Sequence, residues 1–151
     1  MSLRLVLAFC FTLLLASPTL AATEEQPPIE VWKSPTCGCC GKWVEHLEAS
    51  GFAVKATNTT RSSLDRIKRQ AGIEKELASC HTAKIEGYVI EGHVPAADIK
   101  RLVAERPDAI GLTVPNMPMG SPGMEQPGGE TEPYDVLLLK KDGTVEVFAS
   151  H

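Results

Sequence analysis

Three of the five cysteines in the chain lie within four residues, Cys37-Gly38-Cys39-Cys40. They follow an apolar segment and a Ser-Pro-Thr turn, and they precede the amphipathic segment 41–50, so the sequence predicts a strand, a tight turn and a helix. Backbone N–H groups and the helix dipole at such a corner favour thiolates, which are both redox nucleophiles and soft-metal ligands. The motif therefore predicts thiol redox chemistry, metal binding, or both.

The spacing within this motif permits two kinds of chemistry. Cys37 and Cys40 form a C-x-x-C pair, which is the spacing of a thioredoxin-like dithiol. In that interpretation Cys37 is the nucleophile and Cys40 is the resolving thiol. Cys37 and Cys39 form a C-x-C pair, whose short separation suits one metal ion or two bridged ions. The spacing alone leaves the choice between these two interpretations open.

A fourth cysteine, Cys80, lies beside His81 in the middle of the chain. An even number of cysteines in an oxidising compartment usually indicates structural disulfides. That interpretation fits poorly here, because three of the cysteines are nearly adjacent and only one of them could bridge to Cys80 without strain. Cys80 is therefore expected to bind metal or to resolve a disulfide.

The N-terminal segment has the features of a cleavable signal peptide. Arg4 is followed by an apolar stretch over 5–15 and by small residues over 17–22. The apolar stretch is too short to cross a hydrocarbon core of about 30 Å comfortably. We predict a signal peptide over 1–22, a linker over 23–28 and a single domain over 29–151, with no membrane span in the mature chain.

Composition limits the class of partner. Cleavage would leave about 130 residues, enough for one domain with a modest core. The formal charge of −4 would become about −5, because cleavage removes Arg4. A mildly acidic chain without a basic stripe is not expected to bind nucleic acid, because phosphate binding needs a clustered basic surface. No apolar stripe indicates self-association, so a monomer is expected.

The elements that must position the cysteines form a β-α-β-α pattern. A strand over about 30–33 leads to the first helix, which ends at Gly51, and a second strand follows over 52–57. Ser62 with Asp65 resembles a capping box that opens a second helix. In open α/β sheets ligands bind beyond the carboxyl ends of the strands, which is where this pattern places the cysteines.

The second half of the chain predicts fewer regular elements. A strand over 88–90 precedes a helix with Pro95 at its first position. Residues 113–133 are so rich in Pro, Gly and Met that no regular element is expected there. Two strands over 136–139 and 145–148 are predicted to form a terminal β-hairpin.

Three methionines in this loop affect the choice of metal. Met117, Met119 and Met124 have few apolar neighbours in sequence, although methionines in a loop often simply pack it onto a domain. Cu(I) is soft and prefers thiolate and thioether ligands, with imidazole also acceptable. Zinc competes because four cysteines could form a tetrahedral site, but zinc sites favour C-x₂₋₄-C pairs separated in sequence. The methionines therefore favour copper, as one or more Cu(I) ions bridged by thiolates.

Four fragments in this order resemble the CopG-like family of Gram-negative copper-resistance clusters, over about residues 29–150. The fragments are Cys37-Gly38-Cys39-Cys40, Cys80-His81, Glu91-Gly92-His93-Val94-Pro95, and the segment 117–124 that holds the three methionines. The resemblance implies an α/β, thioredoxin-like domain with a Met/Pro/Gly-rich C-terminal extension, in the periplasm. It also implies copper at the C-x-C-C motif, and it favours His93 as a further ligand.

The resulting prediction is a periplasmic copper-binding protein that acts as a Cu(I)/Cu(II) oxidoreductase in copper resistance. Its predicted redox pair is Cys37 with Cys40, and its predicted metal ligands are Cys37, Cys39, Cys40, Cys80, His93, Met117, Met119 and Met124. Two alternatives remain open. One is a thiol–disulfide oxidoreductase that acts on proteins, and the other is a non-catalytic Cu(I) chaperone or storage module. Its expected partners are copper ions and a copper efflux system or periplasmic chaperone.

Overall fold

The structure is a computed structural model that describes residues 26–151. The predicted signal peptide and the first part of the predicted linker lie outside this range. The described chain forms one seven-stranded mixed sheet with three α-helices. In chain order the elements are β1 (Gln26–Lys33), α1 (Gly38–Ala49), β2 (Phe52–Asn58), α2 (Arg61–Gln70), a 3-10 turn (Lys75–Leu77), β3 (Thr82–Ile85), β4 (Tyr88–Glu91), α3 (Ala96–Glu105), β5 (Ala109–Thr113), β6 (Asp135–Lys140) and β7 (Val145–Ser150).

The sheet has the strand order β2-β1-β3-β4-β5-β6-β7. Strands β1 and β2 are parallel and are connected through α1, whereas β3 is antiparallel to both β1 and β4. Strand β5 is parallel to β4, and β6 and β7 complete the sheet as an antiparallel hairpin. The mixed α/β class and the terminal hairpin predicted from the sequence are confirmed.

The core is built where α1 and α3 pack on the sheet. Its fully buried members include Ile29, Val31, Trp43, Leu47, Ile90, Ile99, Leu102, Leu112 and Val136. The indole N–H of Trp43 donates a hydrogen bond of 2.9 Å to the carbonyl of Val94, which ties α1 to the segment that precedes α3. The helix that carries the cysteines is therefore anchored in the core one turn after its start.

Several boundaries differ from the sequence predictions. Strand β1 begins at Gln26, inside the predicted linker, and α2 is capped by Thr60, whose hydroxyl accepts the backbone N–H of Ser63. The capping-box prediction at Ser62 was therefore wrong by two residues. Strands β3 and β5 were not predicted, because they are short and depend on neighbours that are distant in sequence.

Residues 114–134 form no helix or strand, as predicted, yet part of this loop is packed tightly onto α1. Ser121 is fully buried. A Cβ atom at Gly123 would lie 2.6 Å from the carbonyl oxygen of Cys39 and 2.9 Å from the backbone nitrogen of Trp43. Only a glycine permits this approach, and it brings the methionine loop against the first turn of the cysteine helix.

Across residues 26–151, no helix combines the length and the apolar character that a membrane crossing requires.

Candidate metal centre

The cysteine motif forms the start of α1. Cys37 is the N-cap residue, and Cys39 and Cys40 lie in the first helical turn. Cys37 and Cys40 are joined by a disulfide, while Cys39 is a free thiol whose Sγ lies 3.4 Å from that of Cys37. Cys40 is fully buried, whereas Cys37 and Cys39 are partly exposed. The C-x-x-C pair inferred from the spacing is thus the pair that forms the disulfide.

Cys80 is brought to this corner by the sheet. It lies just before β3, and because β3 runs antiparallel to β1 with Thr82 opposite Trp32, the start of β3 meets the carboxyl end of β1. The Sγ atoms of Cys37, Cys39, Cys40 and Cys80 all lie within 4.8 Å of one another. Residues more than 40 positions apart in sequence therefore form one four-sulfur group.

Two histidines also lie close to Cys80, and neither belongs to the four-sulfur group. The Sγ of Cys80 lies 3.1 Å from Nε2 of His93 and 3.3 Å from Nδ1 of His81. The three residues form a second group whose potential ligand atoms lie within 4.8 Å of one another. The Nδ1 of His93 lies 2.8 Å from the carbonyl oxygen of Pro122, to which it donates its proton. That hydrogen bond leaves the lone pair of Nε2 directed at Cys80, as a metal-binding imidazole requires.

His81 was not among the predicted ligands. It is fully buried, its ring packs against that of Trp43 with a centroid distance of 4.3 Å and a tilt of 39°, and its Nε2 has no hydrogen-bond partner within the described chain. The signal in the sequence was its position next to Cys80, but neighbouring side chains on a strand point to opposite faces. Here the two residues precede β3, where the backbone is irregular and lets both side chains converge.

Burial sets the protonation of these groups. It lowers the pKa of His93 and lowers the pKa of His81 well below its ordinary value, so both imidazoles are neutral near pH 7. Burial, together with the nearby Cys39, raises the pKa of the Cys80 thiol to about 12. Neutral imidazoles are ready to coordinate, whereas a metal ion must displace the proton of Cys80.

The three methionines occupy different surroundings. Met117 lies at a cavity of about 460 Å³ whose lining includes Cys37 and Cys80. Met119 does not line that cavity, and its carbonyl accepts the backbone N–H of Glu132. Met124 is half-buried after Gly123, where the loop contacts α1. One of the three methionines thus lines the same cavity as two predicted thiol ligands, and a ligand role for each methionine remains a prediction.

A buried ion pair supports the segment that carries Cys80. Lys68 of α2 pairs with Glu91 at the end of β4, and both side chains are buried. Glu91 also accepts the backbone N–H of Ser79 at 2.6 Å and the hydroxyl of Thr82 at 2.7 Å. These contacts fix the backbone on both sides of Cys80. The sequence signal was weak, because a lysine on an apolar helix face usually extends its amine into solvent.

Comparisons with known proteins identify the family. A family model described as "Protein of unknown function, DUF411" matches residues 77–124, which include Cys80, both histidines of the site and the methionines. A solved structure titled "Copper resistance protein copG- Form 1" is 43% identical, with a TM-score of 0.76, and the match covers 83% of this chain and 98% of that chain. The chain belongs to the CopG family.

The second form of that CopG protein matches equally well, at 43% identity and a TM-score of 0.76 over 84% of this chain and 99% of the CopG chain. No curated protein sequence matches the chain. The CopG resemblance inferred from the four sequence fragments is therefore confirmed, and the fold is that of CopG. The cysteine and histidine groups of this CopG homologue have the composition and spacing of a metal site.

Proposed function

We propose that this CopG homologue is a periplasmic Cu(I)/Cu(II) oxidoreductase of copper resistance, in which the Cys37–Cys40 pair exchanges electrons with copper. One observation carries the proposal. The disulfide lies inside the same four-sulfur group as the free thiols of Cys39 and Cys80. Opening or closing this bond therefore changes the number of thiols that face the metal.

The two redox states offer different ligand sets. In the disulfide form the four sulfur atoms lie within 4.8 Å of one another, and reduction of the pair would turn them into four thiols, a soft donor set that suits Cu(I) and that can bridge more than one ion. With the disulfide closed, Cys39 and Cys80 remain, with the imidazole of His93 at 3.1 Å from Cys80. A smaller set with a larger share of nitrogen binds Cu(I) less tightly and accepts Cu(II) more readily.

The electrons balance for two copper ions per disulfide. Two Cu(II) ions accept one electron each from the Cys37 and Cys40 thiols, which form the S–S bond and release two protons. The reverse reaction returns two electrons and two protons to the sulfur atoms and yields two Cu(II) ions. Copper is the substrate in either direction, and the protein supplies the electron pair and the ligands.

The order of elements supports the thioredoxin-like interpretation, which we also propose. The β1-α1-β2 unit, the antiparallel β3 and β4 and the following α3 give the strand order β2-β1-β3-β4, with a C-x-x-C disulfide at the start of α1. A helix N-terminus stabilises the thiolate form of cysteines there, which favours disulfide exchange. The remaining strands and the loop 114–134 would then be additions to a redox unit.

The disulfide also favours a second candidate, a thiol–disulfide oxidoreductase acting on proteins. Against this candidate, Cys39 lies 3.4 Å from the sulfur of Cys37, close enough to intercept a mixed disulfide with a protein substrate. A non-catalytic Cu(I) chaperone would use the same thiols and would deliver copper to an efflux system. That role needs no disulfide within the ligand set.

The test is an anaerobic titration of the mature protein with Cu(I) against a competing chelator, in the reduced and in the disulfide form. We expect the reduced protein to bind more Cu(I), and to bind it more tightly. Adding two equivalents of Cu(II) to the metal-free reduced protein should form one disulfide and two Cu(I) ions. The variant Cys39→Ser should lower the number of Cu(I) ions bound per protein. Cys39 and Cys80 are the two thiols that stay free in both redox states, and the variant removes one of them.

Three results separate the candidates. Unchanged copper stoichiometry and unchanged redox behaviour in the Cys39→Ser variant would contradict the proposal. Tight Cu(I) binding without electron exchange would favour the chaperone. Rapid reduction of insulin disulfides, with no competitive binding of Cu(I), would favour the protein oxidoreductase.

A further inference from the structure

The cavity beside the cysteine corner gives access to two of the sulfur atoms. It has a volume of about 460 Å³, and Cys37 and Cys80 form part of its wall. Cys40 is fully buried and does not line it. The rest of the wall comes from Ser34 and Thr59, which follow β1 and β2, from α2, and from the segments around Ser79 and Asn116. An ion that reaches the four-sulfur group through this cavity therefore meets Cys37 and Cys80 rather than Cys40.

Met117 is held at this cavity by the residue that precedes it. The backbone N–H of Asn116 donates to the carbonyl of Ala78 at 3.3 Å, and the hydroxyl of Ser79 donates to the carbonyl of Asn116. Asn116 has a φ of 63°, a left-handed conformation that asparagine tolerates better than most residues. The backbone next to Met117 is thus tied to the two residues that lead into Cys80.

The side chain of Met117 combines exposure with soft-metal chemistry. It is 47% exposed, although it lines the same cavity as Cys37 and Cys80. A thioether binds Cu(I) without losing a proton, and it binds more weakly than a thiolate because it carries no charge. Transfer of Cu(I) from Met117 to the cysteines is therefore energetically favourable.

We infer that Met117 is the first ligand of incoming Cu(I) and that the 460 Å³ cavity is the route by which the ion reaches Cys37 and Cys80. This inference rests on the proposed copper function, and it concerns the rate of entry rather than the final ligand set. Cu(I) exchanges its carrier ligand for the thioether, and then the thioether for the sulfur atoms of Cys37 and Cys80, whose thiols release their protons to solvent. No electron is transferred in either step.

Met119 provides a matched control. It lies two residues further along the same loop and is 41% exposed, close to the 47% of Met117. It does not line the cavity, and the backbone around it faces the segment 131–132, where its carbonyl accepts the N–H of Glu132. The two methionines share chemistry, exposure and loop, and they differ in whether the side chain lines the cavity.

The experiment compares Met117→Leu with Met119→Leu in the reduced mature protein, without oxygen. Cu(I) is supplied as its acetonitrile complex in a stopped-flow instrument, and its arrival is followed by the near-ultraviolet absorption of Cu(I)–thiolate bonds. For Met117→Leu we expect the entry rate constant to fall by about tenfold. For Met119→Leu we expect the wild-type entry rate. Because Met117 and Met119 are both predicted ligands, the final absorbance and the Cu(I) affinity of each variant are measured separately from the entry rate.

Three other outcomes would contradict the inference, and each points to a different cause. A wild-type rate in Met117→Leu, or an equal loss of rate in both variants, would contradict entry at Met117. A wild-type entry rate in Met117→Leu together with a lower final stoichiometry or affinity would make Met117 a ligand of the final site only, and would contradict entry at this residue. Failure of the wild-type protein to bind Cu(I) would overturn the proposed function, and the inference with it. Circular dichroism of both variants, which should match the wild type, tests whether the loop change alters the fold.

Discussion

The two groups that meet at Cys80 differ in how firmly they are held. On one side lie the three cysteines at the start of α1, where two sulfur atoms are joined in a disulfide and Cys37 and Cys39 are partly exposed. On the other side lie His81 and His93, both fully buried. The sulfur side can change its number of free thiols, whereas the imidazole side is fixed by packing and by the hydrogen bond to Pro122.

This difference suggests a division of roles within the proposed site. A centre made only of redox-active thiols would bind copper much more weakly whenever two of them formed a disulfide. A centre made only of histidines could not donate electrons. Because Cys80 belongs to both groups, copper could remain bound at Cys80 while the ligands from α1 change. Five predictions test how the two groups are held and what each contributes, from the largest expected effect to the smallest.

Cys80→Ser should have the largest effect, because it removes the sulfur that belongs to both groups. We expect Cu(I) affinity to fall in the reduced form and in the disulfide form, by at least the roughly 10- to 100-fold that loss of a residue supporting a metal ligand costs. The measurement is chelator competition on both forms. Loss of affinity in only one form would mean that the two groups bind copper independently.

Lys68→Leu tests how the backbone around Cys80 is held. The substitution leaves the Glu91 carboxylate buried without its partner, which should lower the free energy of unfolding by about 3–5 kcal/mol. The double variant Lys68→Leu with Glu91→Gln keeps an acceptor for the N–H of Ser79 and buries no unpaired charge. It should recover part of the loss in chemical denaturation. Equal destabilisation of both proteins would contradict a stabilising role for the charge pair.

His93→Ala separates the two sides by redox state. In the reduced form four thiols remain, so we expect little loss of Cu(I) affinity. In the disulfide form only Cys39 and Cys80 would remain with His81, so affinity should fall by about tenfold or more. Chelator competition measures the Cu(I) affinity of the wild type and the variant in both forms, which gives the loss of affinity in each. Equal losses in both forms would show that the imidazole binds copper regardless of the disulfide.

The smallest effect concerns thiol reactivity in the metal-free disulfide form. Burial raises the pKa of Cys80 from 9.0 to about 12, and only the thiolate reacts with iodoacetamide. Cys80 should therefore be labelled more slowly at pH 8 in the folded protein than in the denatured chain, and its rate in the folded protein should rise with pH up to about pH 12. Peptide mass spectrometry isolates the peptide that carries Cys80. Equal labelling of Cys80 in the folded and denatured chains would contradict this prediction.

The raised pKa of Cys80 also affects the free energy of unfolding at high pH. The unfolded chain loses the Cys80 proton near pH 9.0, whereas the folded protein keeps it to about pH 12. The raised pKa therefore has no effect on stability below about pH 9, and stability decreases as pH rises from there towards pH 12. Cys80→Ser should flatten this part of the curve, which denaturation at several pH values can measure.

The sequence predicted the local part of the site better than the long-range part. The strand–turn–helix corner with Cys37 and Cys40 follows from neighbouring residues, and so does the absence of regular elements in the methionine loop. The family resemblance favoured His93 as a ligand. Whether His93 and the methionines bind metal is still a prediction, because composition and family resemblance indicate ligands without fixing a coordination sphere.

The features that were missed depend on tertiary contacts. His81 reaches the site because the backbone before β3 is irregular, which a period of two or 3.6 residues does not reveal. The ion pair joins Lys68 of α2 to Glu91 of β4, which lies 23 positions further along the chain. Strands β3 and β5 are stabilised by pairing with β1, β4 and β6 rather than by their own composition.

The contact between the rings of Trp43 and His81 gives the protein an internal optical reporter. The indole lies on the helix that carries the disulfide, and its ring centroid is 4.3 Å from that of His81. Disulfides and nearby metal ions both quench indole emission over short distances. Fluorescence of the unlabelled protein, with Trp32 removed as the second emitter, would therefore follow disulfide closure and copper arrival in real time.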